Sequence, residues 1–338
     1  MFLDVLYGVL PLFFIMLIGF GTSYAPKFPA SVEPALNVFV FYVALPALLY
    51  KVVARADISD GVSFSFLWIS IAATLLFAVM SWAFFRYLLR VGPQRALAGM
   101  LTTSFGNVSY LGIPVIIGVM GPEAGFAAGM GQLVHNIIFM VGFPILAQIM
   151  LPTGAHAEQH PASGSRLLRT IRSALLYSPV TWAMVIGGAV VLTGVHVPGP
   201  IDDTIDLLSA AAAPGALFVI GMSLKRTIER SRAAKSAEVA VEDQASTVRA
   251  KTSMLVMIIG KLVALPLLTV VMLQLFAPQL DRIWFNAAVL MAAMPVSATA
   301  YIMAHNDTGN GEPTAVAIVI TCLLSVIALP VLAQLVLK

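Results

Sequence analysis

The stretch TTSFGNVSYLGIPV, residues 102–115, sets helix breakers and polar side chains inside an apolar run. Gly106, Asn107, Ser109, Tyr110, Gly112 and Pro114 all fall within it. Glycine weakens a helix because it loses the most conformational freedom on ordering. Proline lacks an N–H and its ring collides with the preceding turn, which would free carbonyls near residues 110 and 111. The expected result is a discontinuous helix with bare backbone dipoles. Such a break survives in a membrane only where protein or a wet cavity covers it. The amino end of the second half-helix then offers N–H groups to an anion.

The rest of the chain makes a membrane the expected setting. Its 338 residues are 59% hydrophobic and 10% charged, against roughly 45–50% and about 25% in soluble domains. That excludes a water-soluble domain and a disordered chain. Ten apolar segments can be drawn, at 4–24, 32–52, 64–89, 95–119, 123–151, 173–195, 203–224, 252–276, 283–305 and 313–337. The expected fold class is therefore an all-α polytopic membrane protein with ten transmembrane helices. A spanning helix needs about 20 apolar residues, so the length fits. The net charge of +3 is too small and too scattered to suggest nucleic acid. The single cysteine, Cys322, excludes a disulfide framework and a Cys-based metal site. No cofactor motif is present. The pair in HAEQH, His156 and His160, lacks the Glu placement of a zinc helix, so no metal is expected. Near the start stands Asp4 and no basic residue, so the first apolar run reads as a retained helix.

Lys and Arg fall unevenly on alternate sides of the ten segments. One side holds fourteen, including Arg86, Arg90, Arg95, Arg166, Arg169, Arg172 and those of the interval 225–251. The other side holds Lys51, Arg55, Arg282 and Lys338. The rich side is expected to be cytoplasmic, which places both termini outside and the protein in the plasma (inner) membrane. Arg166, Arg169 and Arg172 are suited to anionic lipid headgroups, so membrane lipids count as partners.

The chain also repeats itself. FPILAQI at 143–149 matches LPVLAQL at 329–335, with Pro144 and Pro330 in register. LPALL around Pro46 matches APGAL around Pro214, and GPE at 121–123 resembles GEP at 311–313. The division is 1–151 as a first five-helix repeat, 152–172 as a cytoplasmic linker and 173–338 as a second, with a cytoplasmic loop at 225–251. Five spans is an odd number, so the second repeat enters from the opposite face, a recurrent transporter plan. The counterpart of the first stretch is MAAMPVSATAYIMAHN, residues 291–306, where Pro295, Ser297 and Thr299 mark a break in the ninth span. Broken fourth and ninth spans would cross near the bilayer centre.

SFGNVSYLGIPV (104–115), GPE (121–123), AMPVSATAYIMA (293–304) and TCLLSVIALPVLAQL (321–335) together resemble the auxin efflux carrier family, in its bacterial form. The resemblance covers essentially the whole chain. It implies two inverted five-helix repeats, a transport domain with crossed broken helices, and a scaffold domain beside it. It implies export or exchange of small organic anions, mono- or dicarboxylates such as malonate or malate. The family's crossover asparagine falls on Asn107. At the second crossover only Ser297 and Thr299 are polar, a departure from the plant pattern that argues against auxin itself. A scaffold face is compatible with a homodimer.

Three further residues enter the candidate site. Lys261 lies inside the eighth span, where a charge defaults to a functional role. It would neutralise a carboxylate, change protonation, snorkel to the surface or pair with an Asp. His135 and Asn136 lie in the fifth span; His135 would carry protons or bond across helices. Asp206 and Asp307 near span ends read as solvated caps. No catalytic residue is expected: G-x-S-x-G is missing, and no two carboxylates face each other inside the spans. A channel or a membrane receptor is the alternative, and an intramembrane enzyme a more distant one; a channel usually needs a filter or charged rings, and no ring can be assigned from one chain.

Overall fold

A computed structural model describes residues 2–29, 31–56, 62–151, 179–238 and 244–336. The linker 152–172, with its histidines and arginines, lies outside them. The regular structure among the described residues is helical, apart from one isolated β-bridge. In chain order the helices are α1 (Phe2–Thr22), α2 (Val32–Ala54), α3 (Phe64–Leu88), α4 (Pro93–Ser104), α5 (Val108–Met120) and α6 (Pro122–Met150). The second half continues with α7 (Pro179–Thr193), α8 (Gly199–Ala210), α9 (Ala212–Glu238), α10 (Val248–Phe276), α11 (Arg282–Ala292), α12 (Ala298–Thr308) and α13 (Glu312–Val336). Among the described residues, six helical runs are long and apolar enough to cross a membrane: α2, α3, α6, α8 with α9, α10 and α13. Four shorter apolar helices accompany them: Leu10–Thr22, α5, α7 and α11.

The prolines inside these helices show how the sequence is tolerated. Pro46, Pro114, Pro144 and Pro266 each follow a π-helical turn: Val40–Ala44, Val108–Gly112, Ile137–Gly142 and Gly260–Ala264. A π turn carries one extra residue, which shifts the carbonyls away from the ring and removes the demand for the missing N–H. This corrects the place of the first break. Pro114 is carried through by the π turn before it. The chain leaves the helix earlier, at Phe105, Gly106 and Asn107.

A second difference concerns the interval 225–251. Residues 225–238 continue α9, and residues 244–247 join the helix that becomes α10. Ala, Arg, Lys and Glu are strong helix formers, so the helix outlasts the apolar run.

α1 and α9 pack at very close range. A Cβ on Gly19 would strike the Phe218 carbonyl, and one on Gly221 would strike the Met16 carbonyl. α2 and α9 share a small core of Val40, Ala44, Leu45, Ala212, Ala216 and Val219. Ion pairs fasten both ends of this group. Lys51 reaches Asp206 at 2.9 Å, and Arg55 reaches Asp202 at 2.8 Å and Asp206 at 2.9 Å. The Asp202 and Asp206 carboxylates raise the Arg55 guanidinium above its ordinary pKa. Asp206 is thus an ion-pair partner and not a solvated cap. At the other end Arg226 meets Glu33 at 2.8 Å, and Lys225 donates to the Ser23 carbonyl at 2.9 Å. A separate core gathers α3, α4, α6, α10, α12 and α13 around Phe85, Leu101, Phe105, Phe139 and Ala300.

Candidate functional site

Two helices stop and restart beside each other. α4 ends at Ser104, and α5 starts after Asn107. α11 ends at Ala292, and α12 starts after Ser297. The two gaps pair through a single antiparallel bridge. Gly106 faces Val296, the Asn107 N–H donates to the Pro295 carbonyl at 2.8 Å, and the Ser297 N–H donates to the Phe105 carbonyl at 3.0 Å. Backbone groups freed by the breaks thus bond each other, which satisfies them away from water.

Asn107 and Ser297 hold matching positions. Each is the residue before a helix and caps it. Asn107 Oδ1 accepts from the Tyr110 N–H at 3.3 Å, and Ser297 Oγ accepts from the Thr299 N–H at 3.3 Å. The Asn107 carbonyl takes the N–H groups of Leu111 and Gly112, and the Ser297 carbonyl takes that of Ala300. The first amides of each helix lack an intrahelical acceptor. Those of Val108, Ser109 and Ala298 have none among the described residues. Two amino ends, with their positive dipole, therefore sit on either side of one crossing.

The remaining predicted residues gather around it. Gly112 packs against Met294 of the second break; a Cβ there would lie 3.3 Å from Met294 Cγ. Ser109 Oγ accepts from Asn136 Nδ2 at 3.4 Å. Tyr110 Oη donates to Asn37 Oδ1 of α2 at 2.9 Å. His135 is buried, and its Nε2 accepts from the Gly106 N–H at 3.0 Å. The ring therefore carries its proton, when neutral, on Nδ1. It packs against the stacked pair Phe105 and Phe139, with centroids 5.4 and 4.8 Å away. Lys261 is fully buried and does not snorkel; its Nζ donates to the Ala292 carbonyl at 2.7 Å. Pro114 lies beyond the π turn, away from the break itself.

Two polar residues around the crossing were not singled out from sequence. Asn37 lies near the start of α2 and has no helix breaker beside it. Thr321 of α13 accepts the Val296 N–H on Oγ1 at 3.1 Å. Its role matches that of His135, since each takes the amide of one bridge residue. The interval from His135 to Thr321 is 186 residues, the same as from Pro144 to Pro330. Applying the repeat spacing to His135 would have found it.

A pair of interrupted helices, bonded to each other inside an apolar bundle, is a transporter feature. The defining pattern of the membrane transport proteins, auxin efflux carrier-like, matches residues 4–333. The chain belongs to that family. A protein of Rhizobium meliloti (strain 1021) named "Putative malonate transporter" is 26% identical over 319 residues, 94% of this chain and 91% of its own length. A protein of Escherichia coli (strain K12) named "Uncharacterized transporter YfdV" is 26% identical over 224 residues, 64% of this chain and 67% of its own. Family and relatives alike are transporters, and this chain is an integral membrane protein.

Proposed function

We propose that this protein is a secondary carrier of small organic anions, mono- or dicarboxylates, working by alternating access. The observation that carries it is the crossing itself. The amino ends of α5 and α12 meet there with free amides of Val108, Ser109 and Ala298. A carboxylate is matched by such ends, because dipole and donors act together. Two facing ends suit the two charges of a dicarboxylate, and malonate is the substrate in the name of one relative. Asn107, Ser109, Tyr110, Gly112, Pro114, Pro295, Ser297 and Thr299 are assigned to this site. Lys261, His135 and Asn136 are assigned to its charge balance and support.

The proposed architecture is ten spans in two inverted repeats. The count reaches ten when α4 with α5, and α11 with α12, are each taken as one interrupted span beside α1, α7 and the six long runs. The paired roles of His135 and Thr321 at the repeat spacing support the symmetry. α1, α2, α7, α8 and α9 would form the scaffold, tied by its ion pairs, and offer the face for a homodimer. The crossing would travel past it like an elevator, with the Tyr110–Asn37 bond broken and remade. The protein would reside in the plasma membrane with both termini outside.

Flux into proteoliposomes tests the function. Labelled malonate is expected to enter saturably and to exchange with internal malonate. Current that does not saturate would replace the carrier by a channel, and an absence of movement for every mono- and dicarboxylate would remove the anion. Cysteines placed in 225–251 are expected to resist impermeant thiol reagents in intact cells. Labelling from outside would reverse the topology.

A further inference from the structure

Lys261 has an unusual set of neighbours. Its side chain is fully buried, and no carboxylate lies in ion-pair range among the described residues. An ammonium has three N–H donors. The acceptor it meets is the carbonyl of Ala292, at 2.7 Å. Ala292 closes α11, so the ammonium stands on the negative end of a helix dipole. On its other side lies Gly106, where an added Cβ would come within 2.9 Å of Nζ and 3.3 Å of the Met294 carbonyl. The positive charge therefore sits between the carboxyl end of one broken helix and the extended backbone of the other. Burying a charge without a counter-charge is costly, and here the Ala292 carbonyl, at the negative end of α11, offsets part of the cost.

We propose that Lys261 is a resident cation, doing with a tethered ammonium what a small monovalent ion at that helix end would do. It holds the end of α11 against Gly106 through charge, and so fixes where the amino ends of α5 and α12 face. It is a positioning residue and does not touch the anion. Gly106 is glycine because the ammonium needs the space beside its Cα. Truncating the side chain leaves a hollow beside the Ala292 carbonyl that a free cation of the same charge can enter.

The test does not require transport, so it stands or falls apart from the carrier assignment. Lys261→Ala is purified in detergent, and its thermal midpoint is measured in chlorides of N-methylglucamine, sodium, ammonium and methylammonium at one ionic strength. The variant is expected to unfold below the wild type in N-methylglucamine. Ammonium or sodium should raise its midpoint saturably, as a ligand of the folded state does, and leave the wild type unmoved. A midpoint equal to wild type in every salt overturns the proposal. So does a lowered midpoint that no small cation raises, since Lys261 would then act by shape. Lys261→Met keeps the stem and drops the charge. Should the alanine variant fail to fold, a methionine variant as stable as wild type overturns the proposal, and one that is less stable upholds it.

Discussion

At Gly106 the chain meets a lysine, a histidine and the capping amide of Asn107, with Asn136 one helix away. At Val296 it meets the hydroxyls of Thr321 and Ser297, with Thr299 beyond. The two breaks share a backbone plan: each has a capping residue, a bridge residue, and a side chain from another helix, α6 or α13, that takes the bridge amide. They differ in what is hung on that plan. The first carries the imidazole and the carboxamides; the second carries hydroxyls, and the Lys261 ammonium stands between the two. Backbone geometry is thus common to the two breaks, while the imidazole and the carboxamides are concentrated at one.

The sharpest way to break this comparison is to remove the two caps separately. Asn107→Ala loses both a helix cap and a carboxamide at the proposed anion site. Uptake into proteoliposomes is expected to fall to the background of empty vesicles, with the protein still folded and inserted. Ser297→Ala loses only a hydroxyl cap, worth about 1 kcal/mol, so roughly a fivefold loss is expected. Equal losses in the two variants would place recognition on the shared backbone, and wild-type uptake with alanine at 107 would remove Asn107 from the site.

The shared plan is open to a second test. His135→Phe and Thr321→Val keep the shape of each side chain and delete its acceptor. Each leaves a buried N–H unpaired, at a cost of about 1–3 kcal/mol. The thermal midpoints of the two variants are expected to drop by similar amounts. A large drop for one alone would mean that the two residues do not hold equivalent places, and the inverted relation between the halves would lose its support.

The sequence exposed this site unevenly, for physical reasons. Breaks are local events, and Gly106, Asn107, Pro295 and Ser297 announce them because few residues suit a chain that leaves a helix. Pro114 pointed a few residues too far along. A π turn is made by backbone register, and no side chain in 108–112 marks it. Lys261 was conspicuous as a charge within an apolar run, yet its partner is a carbonyl, and carbonyls have no signature in sequence. Thr321 looked ordinary because a threonine in a membrane helix usually bonds its own preceding turn, as Thr321 also does to Ala317. Asn37 was invisible for a different reason: its meaning comes from Tyr110, 73 residues away.

That last pair supports the smallest prediction. The Tyr110–Asn37 hydrogen bond joins the first break to α2. An elevator motion must break it once per cycle. Polar bonds between membrane helices are worth about 0.6 kcal/mol on average, roughly a threefold shift in an equilibrium. Tyr110→Phe removes the bond and keeps the ring against the small core that α2 and α9 share. It is expected to change the exchange rate about threefold while leaving the concentration for half-maximal uptake nearly unchanged. Asn37→Ala should do the same, and the double variant should add nothing further, because both changes delete one bond. A double variant that adds the two effects would mean that each side chain acts on its own. A change confined to the half-maximal concentration would move Tyr110 from the sliding surface into the anion's own shell.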